Sequence, residues 1–171
     1  MIEELWGLPA HPLLVHFPIV LIPILAVGAV AMAARPLWRQ RFNWQLSCAC
    51  VIAAVSAFVA AQSGEPFEEA LQPSLGSVAD RHAELGDQSV LFAFLFLAGA
   101  ALLTAMDRWY LTRRSLSVGR EVEAGSVWVS RVTAGIAIVT AIIGVVAAVW
   151  VIRAGHEGAR ISWLGVNIGG G

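Results

Sequence analysis

Four runs of the chain, 13–34, 44–62, 88–106 and 129–152, are apolar over about the length that a bilayer demands, and this removes most folds from consideration. A hydrocarbon core of about 30 Å takes roughly 20 helical residues to cross. Inside lipid every backbone N–H and C=O must be satisfied within the protein, which leaves helices and closed barrels. The runs are continuous rather than alternating, so they read as helices. With 13% charged residues, the chain holds about half the charged share of a soluble domain. The prediction is an all-α membrane protein in which 1–171 form one up-down-up-down bundle. Its four transmembrane helices fall near 13–34, 44–62, 78–106 and 129–152, and a glycine-rich tail occupies 165–171.

The distribution of charge orients the bundle. Face A takes the N-terminus, the connection 63–87 and the C-terminal tail; face B takes 35–43, 107–128 and the near edge of the fourth helix. The basic residues are all arginine. Arg35, Arg39, Arg41, Arg108, Arg113, Arg114, Arg120 and Arg131 fall on face B, and Arg81, Arg153 and Arg160 on face A. Arginine excess marks the cytoplasmic side, so both termini are expected outside. The acidic first ten residues and the lack of a small-residue cleavage site predict that the first helix is retained. Cys48 and Cys50, two apart on a helix, point to different faces and read as packing residues rather than a disulfide.

Pro18 and Pro23 lie inside the first span, and Pro18 removes the hydrogen bond to the Leu14 carbonyl near His16. In the second span Ala49, Ala53, Ala57 and Ala61 form a four-residue row of small side chains, and Gly144 with Ala148 repeats it in the fourth. Such rows let membrane helices approach closely. No internal repeat is evident in the residue order. Pro66 and Pro73 predict breaks in the connection 63–87, the second half of which reads as a helical lead-in carrying His82.

The four histidines, His11, His16, His82 and His156, are the only chemical constellation, and the topology brings all of them to face A. His16 lies about 5 Å below the start of the apolar run, at about 1.5 Å per residue, where an unpaired imidazole is costly. Imidazole ligates haem iron, copper, zinc and nickel. The residues supply His16 and His82 as one opposed pair for haem b, and His11 with His156 as a second. Gly64, Gly86 and Gly155 offer room for a flat macrocycle; Arg81, Arg153 and Arg160 offer charge for its propionates. A copper or zinc site would use the same histidines with Glu65, Asp87 or Glu157. On a regular helix His11 and His16 diverge by about 140°, so they serve different ligands, or one caps the helix start. Two bland readings stand beside these: interfacial histidines in a non-redox accessory subunit, and Arg153 as a snorkelling arginine. No nucleophile–base pair, phosphate loop or zinc-protease motif appears, which argues against a conventional hydrolase.

PAHPLLVHFPIVLIP at 9–23, SGEPFEEA at 63–70, His82-x3-Gly86 and GHEGARISWLGV at 155–166 resemble the bacterial membrane family called domain of unknown function 2231. The resemblance runs along most of the chain and covers His11, His16, His82 and the Gly155–His156 pair. Ala159 departs from it, standing where a second glycine commonly follows. It implies a four-helix protein of the bacterial inner membrane whose relatives often accompany redox or c-type cytochrome modules. That context favours haem and an electron-transfer or accessory role over a stand-alone enzyme. The expected partners are the lipid bilayer and a larger membrane redox complex or c-type cytochrome, with no nucleic acid.

Overall fold

The computed structural model describes the backbone of residues 4–5, 8–116 and 122–168, and the side chains of 11–64, 76–110, 112 and 129–161. A two-residue antiparallel pair, β1 (Glu4–Leu5) with β2 (Leu8–Pro9), precedes the helices. They are α1 (Ala10–Leu14), α2 (His16–Ala34), α3 (Pro36–Leu116) and α4 (Val122–Ile168). α3 is two helices joined at Gly76, whose φ of 27° and ψ of −104° break the helical path. Positive φ is strained for a side chain bearing Cβ, which makes glycine the natural residue there. We call 36–75 the first arm and 77–116 the second.

The arms run antiparallel. Asn43 donates to Asp107 at 2.7 Å, and the Ser47 hydroxyl donates to the Ala100 carbonyl at 2.9 Å, pairs that nest around Gly76. α2 lies antiparallel to the first arm, and α4 to the second. Four segments are long and apolar enough to cross a membrane: His11–Ala34, Pro36–Gly64, Gly76–Tyr110 and Val129–Ile161. The architecture is a four-helix membrane bundle.

The helices reach well past the expected spans. Only Arg35 separates α2 from the first arm, so the expected connection 35–43 is mostly helix. The expected loop 63–87 is helical through Pro66 and Pro73, and the chain reverses at Gly76 alone. α4 continues to Ile168, which makes 165–168 helical; 169–171 lie outside the described residues. The first span runs from α1 into α2 through Val15, whose φ of −63° and ψ of −23° are helical and whose N–H bonds the His11 carbonyl at 3.1 Å; Pro18 lies in the first turn of α2, where a missing N–H is harmless.

The bundle core is built from small side chains: Ala53, Ala54, Ala57, Ala93 and Ala147 pack with Ile22 and Val151. Outward positions are as apolar as the core, with Phe17, Val27, Ile142 and Ile152 all exposed. A helix apolar on every side belongs in lipid. In the bundle core the second arm and α4 approach closely at two glycines. A Cβ on Gly144 would stand 2.8 Å from the Phe96 ring, and one on Gly99 would stand 2.7 Å from Thr140 Oγ1.

The face B end holds a polar cluster that sequence reasoning missed. Arg39, Asn43, Asp107 and Thr133 are all buried. Arg39 Nη2 donates to Thr133 Oγ1 at 3.3 Å, and its Nε lies 3.9 Å from Asp107 Oδ2. Arg39 had been expected among the surface arginines of face B; because helix starts at Pro36, it is turned into the bundle instead.

Candidate cofactor site

A cavity of about 520 Å³ opens at the face A end, walled by the starts of α1 and α2, both arms of α3, and α4. Small-molecule and cofactor sites span about 300–1,000 Å³. Much of the wall is alanine and glycine, and three histidines line it: His11, His16 and His82.

His11 and His82 face one another, with ring centroids 5.9 Å apart and planes at 85°. Each is fixed by the same device. His11 Nδ1 donates to the Ala60 carbonyl at 2.9 Å, and its ring rests over Gly64, where a Cβ would stand 3.0 Å from Cε1. His82 Nδ1 donates to the Ala154 carbonyl at 3.0 Å, and its ring rests over Gly158, where a Cβ would stand 2.9 Å from Cε1. In both cases an Ala-x3-Gly segment supplies the acceptor from its alanine and the space from its glycine. A carbonyl can only accept, so the proton sits on Nδ1, and in the neutral ring Nε2 carries the lone pair. That is the form in which histidine ligates a metal, with its other nitrogen held by the protein. The Ser63 hydroxyl stands 3.1 Å from the same His11 nitrogen.

The remaining expected site residues fall into place around this pair. His16, exposed at the cavity rim, donates from Nδ1 to the Pro12 carbonyl one turn back at 2.6 Å. The imidazole contacting His82 is thus His11, where His16 had been paired with His82. Helical spacing is the reason: on a helix that continues through Val15 the two rings diverge by about 140°, so with His11 turned to His82, His16 is left at the rim. His156, paired in expectation with His11, is exposed and outside the cavity wall. Of the glycines expected to admit a macrocycle, Gly64 admits the His11 ring and Gly155 admits Ile19, whose Cδ1 would lie 2.8 Å from a Cβ there. Gly86 alone faces open space, with nothing within 4 Å of a Cβ position.

The arginines expected at propionates are engaged elsewhere. Arg160 Nη1 binds the buried Glu157 at 3.0 and 3.3 Å, and Arg81 Nε lies 3.9 Å from the same carboxylate. Arg153 stacks over Trp150 at 5.4 Å, outside the cavity wall. Glu157 is therefore committed to arginine. Of the other oxygen ligands considered, Asp87 lines the cavity and the Glu65 side chain lies outside the described residues. Among the described residues no three His, Cys, Asp or Glu side chains converge as a metal-binding group.

Gly158 and the two alanine carbonyls were not singled out from the sequence. Their signal is the paired spacing, Ala60-x3-Gly64 and Ala154-x3-Gly158, each near the end of a span that follows one opened by histidine. Neither the curated proteins nor the solved structures contain a match to this chain. The profile described as a predicted membrane protein of domain of unknown function 2231 matches residues 7–168. The chain, four membrane-length helices closing on a histidine-lined cavity, belongs to that family.

Proposed function

We propose that the protein is a haem b-binding redox subunit of the bacterial inner membrane, with His11 and His82 as the axial ligands at the outer end of the bundle. One observation carries this reading: two imidazoles 5.9 Å apart in a small-residue cavity, each with Nδ1 committed to a main-chain carbonyl. A metal bonded to one nitrogen of each ring at about 2.0–2.1 Å separates the ring centroids by roughly 6 Å. Gly86 and the alanine walls leave room beside the pair. Bound there, haem supplies a one-electron iron couple. The protein's part is to hold both ring orientations before loading, to place the proton of each neutral ring on Nδ1 so that Nε2 carries the lone pair, and to surround the pair with apolar wall. Cys48 is exposed and Cys50 buried, and neither lines the cavity; electrons would pass between the haem and a redox centre on a partner. A larger membrane redox complex or a c-type cytochrome fits that need.

The absorption spectrum of detergent-purified protein, reduced and oxidised, is the direct test. A reducible Soret and α band that weakens in both His11→Ala and His82→Ala is expected. A colourless protein retaining stoichiometric copper or zinc would replace this reading with a metal-ion site. A colourless, metal-free protein that takes up neither would leave a structural subunit.

The orientation rests on the eight-to-three division of arginines between faces B and A. Cysteines introduced at residue 70 should react with an impermeant thiol reagent in intact cells, and those at residue 118 should not. The reverse pattern would place the cavity on the cytoplasmic side.

A further inference from the structure

The two histidine cradles are part of a larger correspondence. One hairpin is α1–α2 with the first arm, and the other is the second arm with α4. Superposing His11 on His82 also superposes Ile22 on Ala93, Ala29 on Ala100 and Met32 on Leu103, and all six of these are buried. Superposing Ala60 on Ala154 brings Leu46, Ala53 and Ala57 onto Thr140, Ala147 and Val151, again all buried. Any two buried helix faces share a three-and-four spacing, so burial alone carries little. Here one offset for each helix pair, fixed by the Nδ1–carbonyl bonds, also satisfies the burial pattern and the glycine cradles.

Equivalent residues also touch each other. His11 meets His82 at face A. Arg39 donates to Thr133, its counterpart, at face B. Between them the core cluster holds Ile22 with Ala93, Ala53 with Ala147, and Ala57 with Val151. Residues that meet their own counterparts lie on a twofold axis, and these two contacts stand at opposite ends of the bundle, with three equivalent pairs sharing the core cluster between them. The cavity obeys the same relation: Val15 and Gly86, His16 and Asp87, Pro18 and Ser89, and Ala61 and Gly155 all line it in equivalent pairs.

We propose that the chain is a duplicated helical hairpin with a pseudo-twofold axis along the bundle, and that the cavity takes one metal centre on that axis, bonded alike by His11 and His82. A metalloporphyrin, with two equivalent faces, is the class of ligand that suits such a site. Its identity as haem rests on the function proposed above, whereas its number and the equivalence of its ligands rest on the axis. Gly64 and Gly158 are the matching positioning residues, each holding one ring against its carbonyl through lack of a Cβ.

The test uses full-length protein in detergent, stripped of cofactor and titrated with hemin, and in a parallel arm with Cu(II) alone. One hemin per chain and a low-spin bis-imidazole spectrum are expected. His11→Ala and His82→Ala should each convert it to high-spin. Gly64→Ala and Gly158→Ala should keep both ligands but weaken binding, by about 10- to 100-fold as for other outer-shell changes and to a similar degree at the two positions. His16→Ala and His156→Ala should leave stoichiometry and spin state unchanged. Two hemins per chain, or a requirement for His16 or His156 while His11 or His82 is dispensable, overturns the axis assignment and leaves the haem reading standing. One Cu(II) per chain, lost equally in the His11 and His82 variants while hemin fails to bind, overturns haem and sustains the axis. Binding of neither overturns both.

Discussion

Replacing Asp107 by leucine is expected to destabilise the bundle by about 3–5 kcal/mol, the usual cost of removing one partner from a buried ion pair. Arg39 is 3% exposed, and among the described residues its Nε and Nη1 have no hydrogen-bond partner. Its charge is compensated by Asp107, which is itself buried and bound by Asn43 at 2.7 Å. Removal of that carboxylate leaves a guanidinium among apolar helices, where the desolvation penalty is no longer offset. Introducing Arg39→Met into the Asp107→Leu protein should therefore recover most of the loss, because a buried pair replaced on both sides is often neutral. Unfolding in mixed detergent and SDS micelles, compared across the two single variants and the double, measures the coupling. Independent, additive losses would show that Arg39 finds water or another acceptor and that the pair is not the unit of stability.

This cluster marks where sequence reading stopped. Hydropathy located all four spans because lipid imposes a length and a composition that every crossing helix must meet, and the arginines divided the connections into two faces. The helix ends were less legible, since nothing in an apolar run states how far a helix continues into water. Pro66 and Pro73 suggested breaks, but a proline only removes one hydrogen bond and bends the axis, whereas Gly76 reverses the chain with a positive φ that few other residues accept. Arg39 looked like a surface charge because its burial depends on helical phase from Pro36 and on Asp107 arriving from the far arm. Three of the four histidines were legible as a cluster, while His156 lies outside the cavity wall. Their pairing was not, for it depends on which side of the first helix is turned into the bundle.

The repeat stayed hidden for a different reason. Counterparts share position and burial but seldom identity: Leu46 answers Thr140, Ile22 answers Ala93, His16 answers Asp87. The duplicated hairpin nonetheless has a test that needs no cofactor. Phe96 corresponds to Leu25, and Gly144 to Cys50; Leu25 packs in the same core cluster as Cys50, as Phe96 does against Gly144. The large ring on one side is accommodated by the missing side chain on the other. Gly144→Cys alone should destabilise by about 1–3 kcal/mol, the usual penalty of overpacking, because its Cβ would stand 2.8 Å from Phe96 Cε2. Phe96→Leu alone leaves a void in a fully buried position and should also destabilise. Together the two changes make the second hairpin copy the first at this layer, so the double variant should be more stable than the Gly144→Cys protein. Residues in direct contact couple by about 0.5–3 kcal/mol, and the sign here is favourable. Unfolding of the four proteins in the same micelles supplies the double-mutant cycle. A double variant no more stable than the sum of its parts predicts would mean that the two pairs are not interchangeable, and that the hairpins share a histidine cradle without sharing a core.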